Sequence, residues 1–348
     1  MRRCASVWRG SFLVFLVACS AGNNGSIPPA TPLAPIGLPG KVVPDATGHG
    51  TLFVANYYLS TISVVPPGAD APTRTISSGV SYPDSLAEDK SGTLYAGNYG
   101  APSGSFTSTV TAYPHGGGNP SRTITNGIFG PYTMAVDNTG RLYVANNGHD
   151  TVTAYNKSGG TPVRTLSRGI RNPQGLAFDG KGNLYVSNFA ANDVTVYPPT
   201  KNGPSSIIKA RMAGPSSIAI DAANNLYVAN ERGGSITIYA ADKRKAPPRR
   251  LKAGIHRPIA IRTDGTTLYV LNYTTNVLGA YDVQTLKRVA FTSTGIACPS
   301  TMTMSQNGLI YVASTCPSSV TAYSASDLSL QRTITKGISD PVALVVSP

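Results

Sequence analysis

The sequence is short of charge, of histidine and of long apolar runs, and each shortage removes a class of protein. Charged residues make up only 13% of 348, about half the usual share. That excludes a coiled coil, a helical bundle rich in Ala, Glu, Lys and Leu, and an acidic disordered tail. No stretch approaches the roughly 18 consecutive apolar residues of a transmembrane helix. The four histidines, His49, His115, His149 and His256, fall at different levels of the chain's repeat, so no three-His zinc site can be assembled. There is no P-loop, no Gly-x-Ser-x-Gly elbow and no Cys-x-x-Cys-His haem site. What is abundant is glycine (36), proline (27) and tyrosine (18), with a formal charge of +13. A chain of this length gives a prior of about two domains. The turn-rich composition instead points to one all-β architecture.

The N-terminus reads as an address. Residues 1–18, MRRCASVWRGSFLVFLVA, join a basic segment (Arg2, Arg3, Arg9) to an apolar run at 11–18. The run is too short to span a bilayer and right for a signal peptide. The segment Leu-Val-Ala-Cys at 16–19 resembles the bacterial lipobox, which implies cleavage before Cys19 and lipidation of that cysteine. An ordinary secretory signal, with Cys19 incidental, and an uncleaved anchor are the alternatives. Ser20 in place of an Asp implies, by the same resemblance, the outer membrane. Cleavage leaves a mature charge of +10, and several acyl chains give stable attachment where one is marginal. Residues 19–44 then hold the lipidated cysteine and a proline-rich tether. The expected location is the cell envelope, with the membrane as a partner through the anchor. Nucleic acid is not expected, and a monomer is.

Beyond residue 45 one motif recurs. It reads LFVAN at Leu52, LYAGN at Leu94, LYVAN at Leu142, LYVSN at Leu184, LYVAN at Leu226, LYVLN at Leu268 and IYVAS at Ile310. The spacing is 42 residues throughout, except for 48 between the second and third copies. A later strand ends in Tyr113, Tyr155, Tyr197, Tyr239, Tyr281 and Tyr323, again 42 apart. The six extra residues therefore lie between Asn98 and Val110. Each unit holds four short apolar runs, such as GLAFD (175–179), LYVSN (184–188), DVTVY (193–197) and SSIIK (205–209). Four strands in about 42 residues are the signature of a propeller blade. The last first-strand sequence, ALVVS at 343–347, has no later strands to join, and the first unit has only a doubtful one at 41–43. The chain over 45–348 is thus expected to form a seven-bladed β-propeller closed by its C-terminal strand. The units resemble NHL and YVTN-type β-propeller repeats in the LYVAN strand, the Gly-Ile-x-x-Pro segment and the Asp-x-x-Gly hairpin. Seven units match the YVTN-type ring better than the NHL one.

Recurrence argues for structure at several polar positions. Asp89, Asp137, Asp179, Asp221 and Asp264 end the first strands and read as turn caps rather than a metal ring. Asn56, Asn98, Asn146, Asn188, Asn230 and Asn272 end the second strands and read the same way. Pro83, Pro131, Pro173, Pro215, Pro258, Pro299 and Pro341 stand where no ladder N–H is needed. Arg74, Arg122, Arg164 and Arg332 are spread around the circumference on outer strands. The basic run DKRKAPPRRLK at 242–252 reads as an edge protected by charge, or as a contact for anionic headgroups or a cell-wall polymer.

Function is sought where the blades differ. The loops after the second strands carry Tyr57, Tyr58, Tyr99, His149, Asp150, Phe189, Glu231, Arg232 and Tyr273. The links before the first strands carry Tyr82, Asp84, Phe129, Tyr132, Arg171, Gln174 and His256. Aromatic faces with a few polar groups suit a protein, peptide or glycan; the alternative is loop packing over the blade tops. No catalytic residue and no cofactor is assigned. A metal-dependent hydrolase like the SMP-30 and gluconolactonase propellers is the second reading. Such a site needs several oxygen ligands converging on one point. Before their terminal Asp the first strands carry only Glu88 and Arg262 as charges. Finally, Cys298 and Cys316 have the same index sum, 614, as Met302 and Val312 across the last unit's first hairpin. A constant sum places them face to face and within disulfide range, in a compartment that favours oxidation; two separate thiols are the alternative.

Overall fold

The computed structural model describes residues 50–100, 107–114, 117–241 and 247–347, all within the unit Val43–Pro348. The signal segment, Cys19, the tether, the strand candidate at 41–43, His49, His115 and the basic residues at 242–246 lie outside them. Among the described residues are seven antiparallel sheets of four strands each, arranged as a propeller. In blade 2 the strands run Pro83–Glu88, Leu94–Asn98, Thr109–Tyr113 and Arg122–Ile124 from the axis outward. Every residue of the LYVAN-type strands Leu94–Asn98, Leu142–Asn146 and Leu184–Asn188 is buried. Alternate residues point to opposite faces of a sheet. A strand that is apolar on both faces therefore needs a neighbour on each side, which a ring of blades supplies. The core is accordingly seven clusters, one per blade junction. Between blades 2 and 3, for example, Val110, Ile124 and Tyr95 meet Leu142, Val144 and Tyr155.

The ring closes as the sequence implies. Pro341–Val346 pairs antiparallel with Leu52–Asn56 and becomes the inner strand of blade 1. Its Val342 and Ala343 enter the core shared with blade 2, and Leu344 enters the one shared with blade 7. Leu52–Asn56 is thereby paired on both sides and is not left as an open edge that could template aggregation.

The recurrent polar residues are engaged internally. Asp137 Oδ1 accepts the N–H groups of Thr139 and Arg141 at 2.9 and 3.0 Å, and Asp89 and Asp179 do the same in their hairpins. In four blades the other carboxylate oxygen accepts the tyrosine hydroxyl of the second strand, as Tyr227 to Asp221 at 3.0 Å. Each Asn at the end of a second strand accepts a backbone N–H from the link that leads into its blade, as Phe129 N–H to Asn146 at 2.9 Å. The third-strand tyrosines donate to carbonyls of that same link, as Tyr155 to Asn126 at 2.7 Å. Outer-strand arginines clamp the next blade. Arg122 donates to Asn156 and Gly159 carbonyls, Arg164 to those of Pro198 and Lys201, and Arg249 to those of Val283 and Gln284. Part of the basic charge is thus a mechanical fastening between blades.

One expectation fails. No disulfide joins Cys298 and Cys316, the first half-buried and the second exposed. The pairing of Thr301–Met304 keeps the index sum 614, but a β-bulge at Ser300 shifts it, so Pro299 pairs with Ser314. Cys298 then lies opposite Thr315, whose N–H and hydroxyl both donate to the Cys298 carbonyl at 3.1 Å. Cys316 is one residue further along, out of register for a bridge. The bulge follows from proline. Each inner strand begins with a proline, and the bulge recurs beside it in every blade.

Candidate functional site

The turn after each second strand and the link into each first strand meet on one face of the ring. The contact has a fixed backbone form. The residue after the Asn or Ser donates its N–H to the carbonyl of the residue before the proline: Tyr57 to Asp340, Tyr99 to Tyr82, Asn147 to Gly130, Phe189 to Asn172, Glu231 to Gly214, Tyr273 to Arg257 and Thr315 to Cys298. The residue before the proline has positive φ in all seven blades, between 45° and 62°. In six junctions its own N–H is held by a side chain of the preceding blade, from Ser60, Ser108, Asp150, Asn192, Asn276 and Ser318. The face is therefore one rigid backbone pattern repeated seven times, with side chains that differ from blade to blade.

The sixteen predicted site residues fall on this face in three groups. Over blades 1 and 2, Tyr57 packs edge-on against Tyr58 and Tyr82, each at 5.3 Å between ring centroids. Tyr58 is 66% exposed, and Asp84 is half-buried beside this group on the inner strand. Over blades 4 to 6, Arg232 covers the Phe189 ring at 4.2 Å. Arg257 covers the Tyr273 ring at 4.6 Å and pairs with Glu231 at 2.8 Å. Burial, then the nearby Cys298, push the Tyr273 hydroxyl up, while Arg257 opposes them. The aromatic faces in this group are capped by guanidinium groups of the protein itself. His256 is exposed beside it, its N–H bound to Asn272 at 2.8 Å.

The third group lies over blades 2 to 4. A single 3-10 turn, Asn147–His149, brings the His149 ring flat against Phe129, with 3.5 Å between centroids and 10° between planes. Asp150 follows the turn and meets Arg171 at 3.5 Å. Tyr132 is half-buried on the inner strand of blade 3, and Gln174 is buried on that of blade 4. Three residues outside the predicted set complete the face: Asn147, Asn172 and Arg257. Asn172 was readable in principle, since Asn tolerates the left-handed backbone required before each proline. Arg257 carried no such sign, because its role depends on contacts with two other loops.

The sequence matches no family model and no curated protein, so the likeness to NHL and YVTN repeats rests on the motifs alone. Solved structures share the architecture. The periplasmic gluconolactonase of Pseudomonas aeruginosa superposes with a TM-score of 0.69 at 18% identity, over 86% of this chain and 99% of its own. A candidate 6-phosphogluconolactonase of Bacteroides uniformis gives 0.70 at 16%, over 86% and 99%. Citrobacter koseri AztD gives 0.62 at 14%, over 85% and 98%. At these identities the likeness is one of fold.

Among the described residues no three His, Cys, Asp or Glu side chains lie close enough together to hold an ion. Glu88 accepts from the Ser347 hydroxyl at 3.0 Å. Arg262 donates to the Ile261 carbonyl at 2.8 Å, and burial pushes its guanidinium down from its ordinary value. Among the described residues no helix is long and apolar enough to cross a membrane.

Proposed function

We propose that the protein is a cell-envelope binding module, anchored through Cys19, that holds its ligand on the loop-bearing face of the propeller. One observation carries this reading. The polar residues that the repeat dictates are engaged in turns and blade junctions, whereas three of the four exposed aromatics among the described residues, Tyr58, Tyr99 and Phe129, lie on one face, the fourth being Phe291 on an outer strand. Extracytoplasmic placement is supported by the signal-like N-terminus. Likeness to a periplasmic gluconolactonase supports it only through the fold. The Cys19→Ala variant should lose acyl labelling and leave the membrane fraction; retention at the wild-type level overturns the anchor.

The binding face is tested with a photo-crosslinking amino acid placed at Tyr58 or Tyr99, or at Val289 on an outer strand, in the full chain in cells. Adducts are expected from the two loop-face sites and not from Val289. Equal yields, or none from the face, overturn the reading. The second reading, a metal-dependent lactonase-like hydrolase, is favoured by the fold likeness alone. Stoichiometric calcium or zinc in the purified protein, together with turnover of a lactone or ester, would replace binding by catalysis.

A further inference from the structure

The inner strands of the ring carry one cation, Arg262 in Pro258–Thr263 of blade 6. It stands opposite Tyr269 of the second strand. The equivalent residues are Ala87, Ala135, Ala177 and Ala219 in blades 2 to 5, Thr303 in blade 7 and Val345 in blade 1. Cross-strand partners share a face of the sheet. Elsewhere that face carries a short side chain packed at the blade junction, as Ala87 beside Tyr95. A guanidinium on its longer stem reaches beyond such a place.

Where it goes follows from Ile261. The N–H of Ile261 donates to Ser217 Oγ of blade 5 at 3.3 Å, not to the second strand of its own blade. In an antiparallel ladder the N–H and C=O of one residue point the same way. The Ile261 carbonyl therefore faces the free edge of the inner strand, which borders the axis of the ring. Arg262 Nη1 donates to that carbonyl at 2.8 Å, so the guanidinium folds back to the axial edge. It keeps partial exposure even though burial pushes it down from its ordinary value. A group that is both desolvated and partly accessible lies in an enclosed space that water can enter. The neighbouring inner strands agree. Ala135, Ala177, Ala219 and Val345 are also only half-buried at this level. With a blade on either side, the surface they keep faces the axis.

A guanidinium in such a setting calls for an anion. Among the described residues its one hydrogen bond is to the Ile261 carbonyl, and no carboxylate offsets its burial. Glu88 is three blades away around the ring and accepts from the Ser347 hydroxyl. Of the five N–H donors of an arginine, four are left for another partner.

We propose that Arg262 anchors a small-ligand site on the axis of the ring, which takes a monocarboxylate with an apolar body. The planar fork matches a carboxylate bidentately. The walls supply the apolar part: Ala177, Ala219 and Val345 at the same level, and Phe178, Ile220 and Met304 nearby, all half-buried. A phosphate group carries more charge and asks for further donors, yet no second Lys or Arg stands on any inner strand. Arg262 is two residues before Asp264, which caps the hairpin at the end of the ring away from the loop-bearing face. The site is therefore separate from the binding face and does not rest on it.

The test uses the full chain in detergent at constant ionic strength. The probes are hexanoate, benzoate, inorganic phosphate and benzamide, the neutral analogue of benzoate. Calorimetry and melting curves read binding. At least one of the two carboxylates should bind and raise the melting temperature saturably, and benzamide should not. Arg262→Ala installs the residue of blades 2 to 5. It should fold, melt no lower than wild type without ligand, and weaken the carboxylate at least about tenfold. Arg262→Lys keeps the charge without the fork and should bind with an affinity between the two. Crystals soaked in para-iodobenzoate should show the iodine on the axis beside blade 6. Binding of neither carboxylate, binding undiminished in Arg262→Ala, or iodine bound only away from the axis overturns the site. Phosphate bound through Arg262 in place of both carboxylates overturns the ligand class.

Discussion

At the scale of single residues, the repeat makes its own controls, because an unusual side chain in one blade can be compared with its equivalents in six others. Asp193 is such a case. Blades 1, 2 and 3 place Thr61, Thr109 and Thr151 at this position, where each hydroxyl accepts from the preceding Asn. Blade 4 places a buried carboxylate there, accepting from Asn188 at 2.8 Å. Burial raises the Asp193 carboxyl above its ordinary 3.8, and the Asn188 hydrogen bond and Lys209 offset this only in part. The folded state therefore keeps this proton to higher pH than the unfolded chain does. Below pH 3.8 both states are protonated and the group is neutral in effect. Stability is lost as pH rises through the folded-state value and stays lost above it. Asp193→Thr should thus melt higher than wild type at pH 7–8, with the difference shrinking toward pH 3.5. A pH series of melting curves checks this, and a constant or reversed difference refutes it. The turn roles of Asp89 and Asp137 were legible from the sequence, because a residue that recurs from blade to blade serves what the blades share; Asn146 recurs for the same reason but fastens the link into its blade instead of capping a turn. The meeting of Tyr99, Phe129 and His149 was not legible. It depends on Gly130 and Gly148 letting two blades close on each other; Gly214 and Gly100 stand at the equivalent positions of other blades, but only blade 3 has both glycines.

At the scale of strands and turns, the blade junction depends on a pair of left-handed residues 22 apart in sequence. Asn192, with φ of +54°, accepts the N–H of Gly214, with φ of +59°, at 2.7 Å. Blade 5 has Gly234 at the first of these positions, with the same backbone conformation at +52° and no side chain to accept. The two contributions can therefore be separated. Asn192→Gly keeps the backbone and loses one hydrogen bond, worth about 1 kcal/mol. Asn192→Ala loses the bond and adds left-handed strain of about 1–2 kcal/mol. The melting temperature should fall in the order wild type, Gly, Ala, by about 2–4 °C per kcal/mol; an alanine variant as stable as the glycine one refutes the backbone argument. The same geometry explains why strand count was readable and register was not. Strand count follows from apolar runs between turn residues. Register follows from where a bulge falls, and the proline that heads each inner strand marks it only once the bulge is known. The one-residue shift at Ser300 separates Cys298 from Cys316 while leaving Met302 opposite Val312.

At the scale of the whole molecule, closure makes the C-terminal strand part of two junctions at once. Removing residues 341–348 takes away the ladder to Leu52–Asn56 and the buried Val342, Ala343 and Leu344 from the cores on either side of blade 1. Burial of a valine or leucine side chain contributes about 1.5–3 kcal/mol, against a total stability of about 5–15 kcal/mol for a typical domain. The ladder bonds add to that loss, and the cut also exposes the edge of Leu52–Asn56 as an open template. The shortened chain should therefore unfold or aggregate well below the melting temperature of the intact protein. Because a truncation that simply fails to fold says little about why, two further measurements accompany it. Leu344→Asp keeps the ladder and places a charge in the junction with blade 7, and should destabilise by several kcal/mol. A synthetic peptide matching residues 339–348, added to the shortened chain during refolding, should bind by strand addition and recover the cooperative transition. If the shortened chain melts like the intact one, the strand candidate at 41–43 supplies the missing edge. If the peptide restores nothing while Leu344→Asp is harmless, the ring does not depend on this strand.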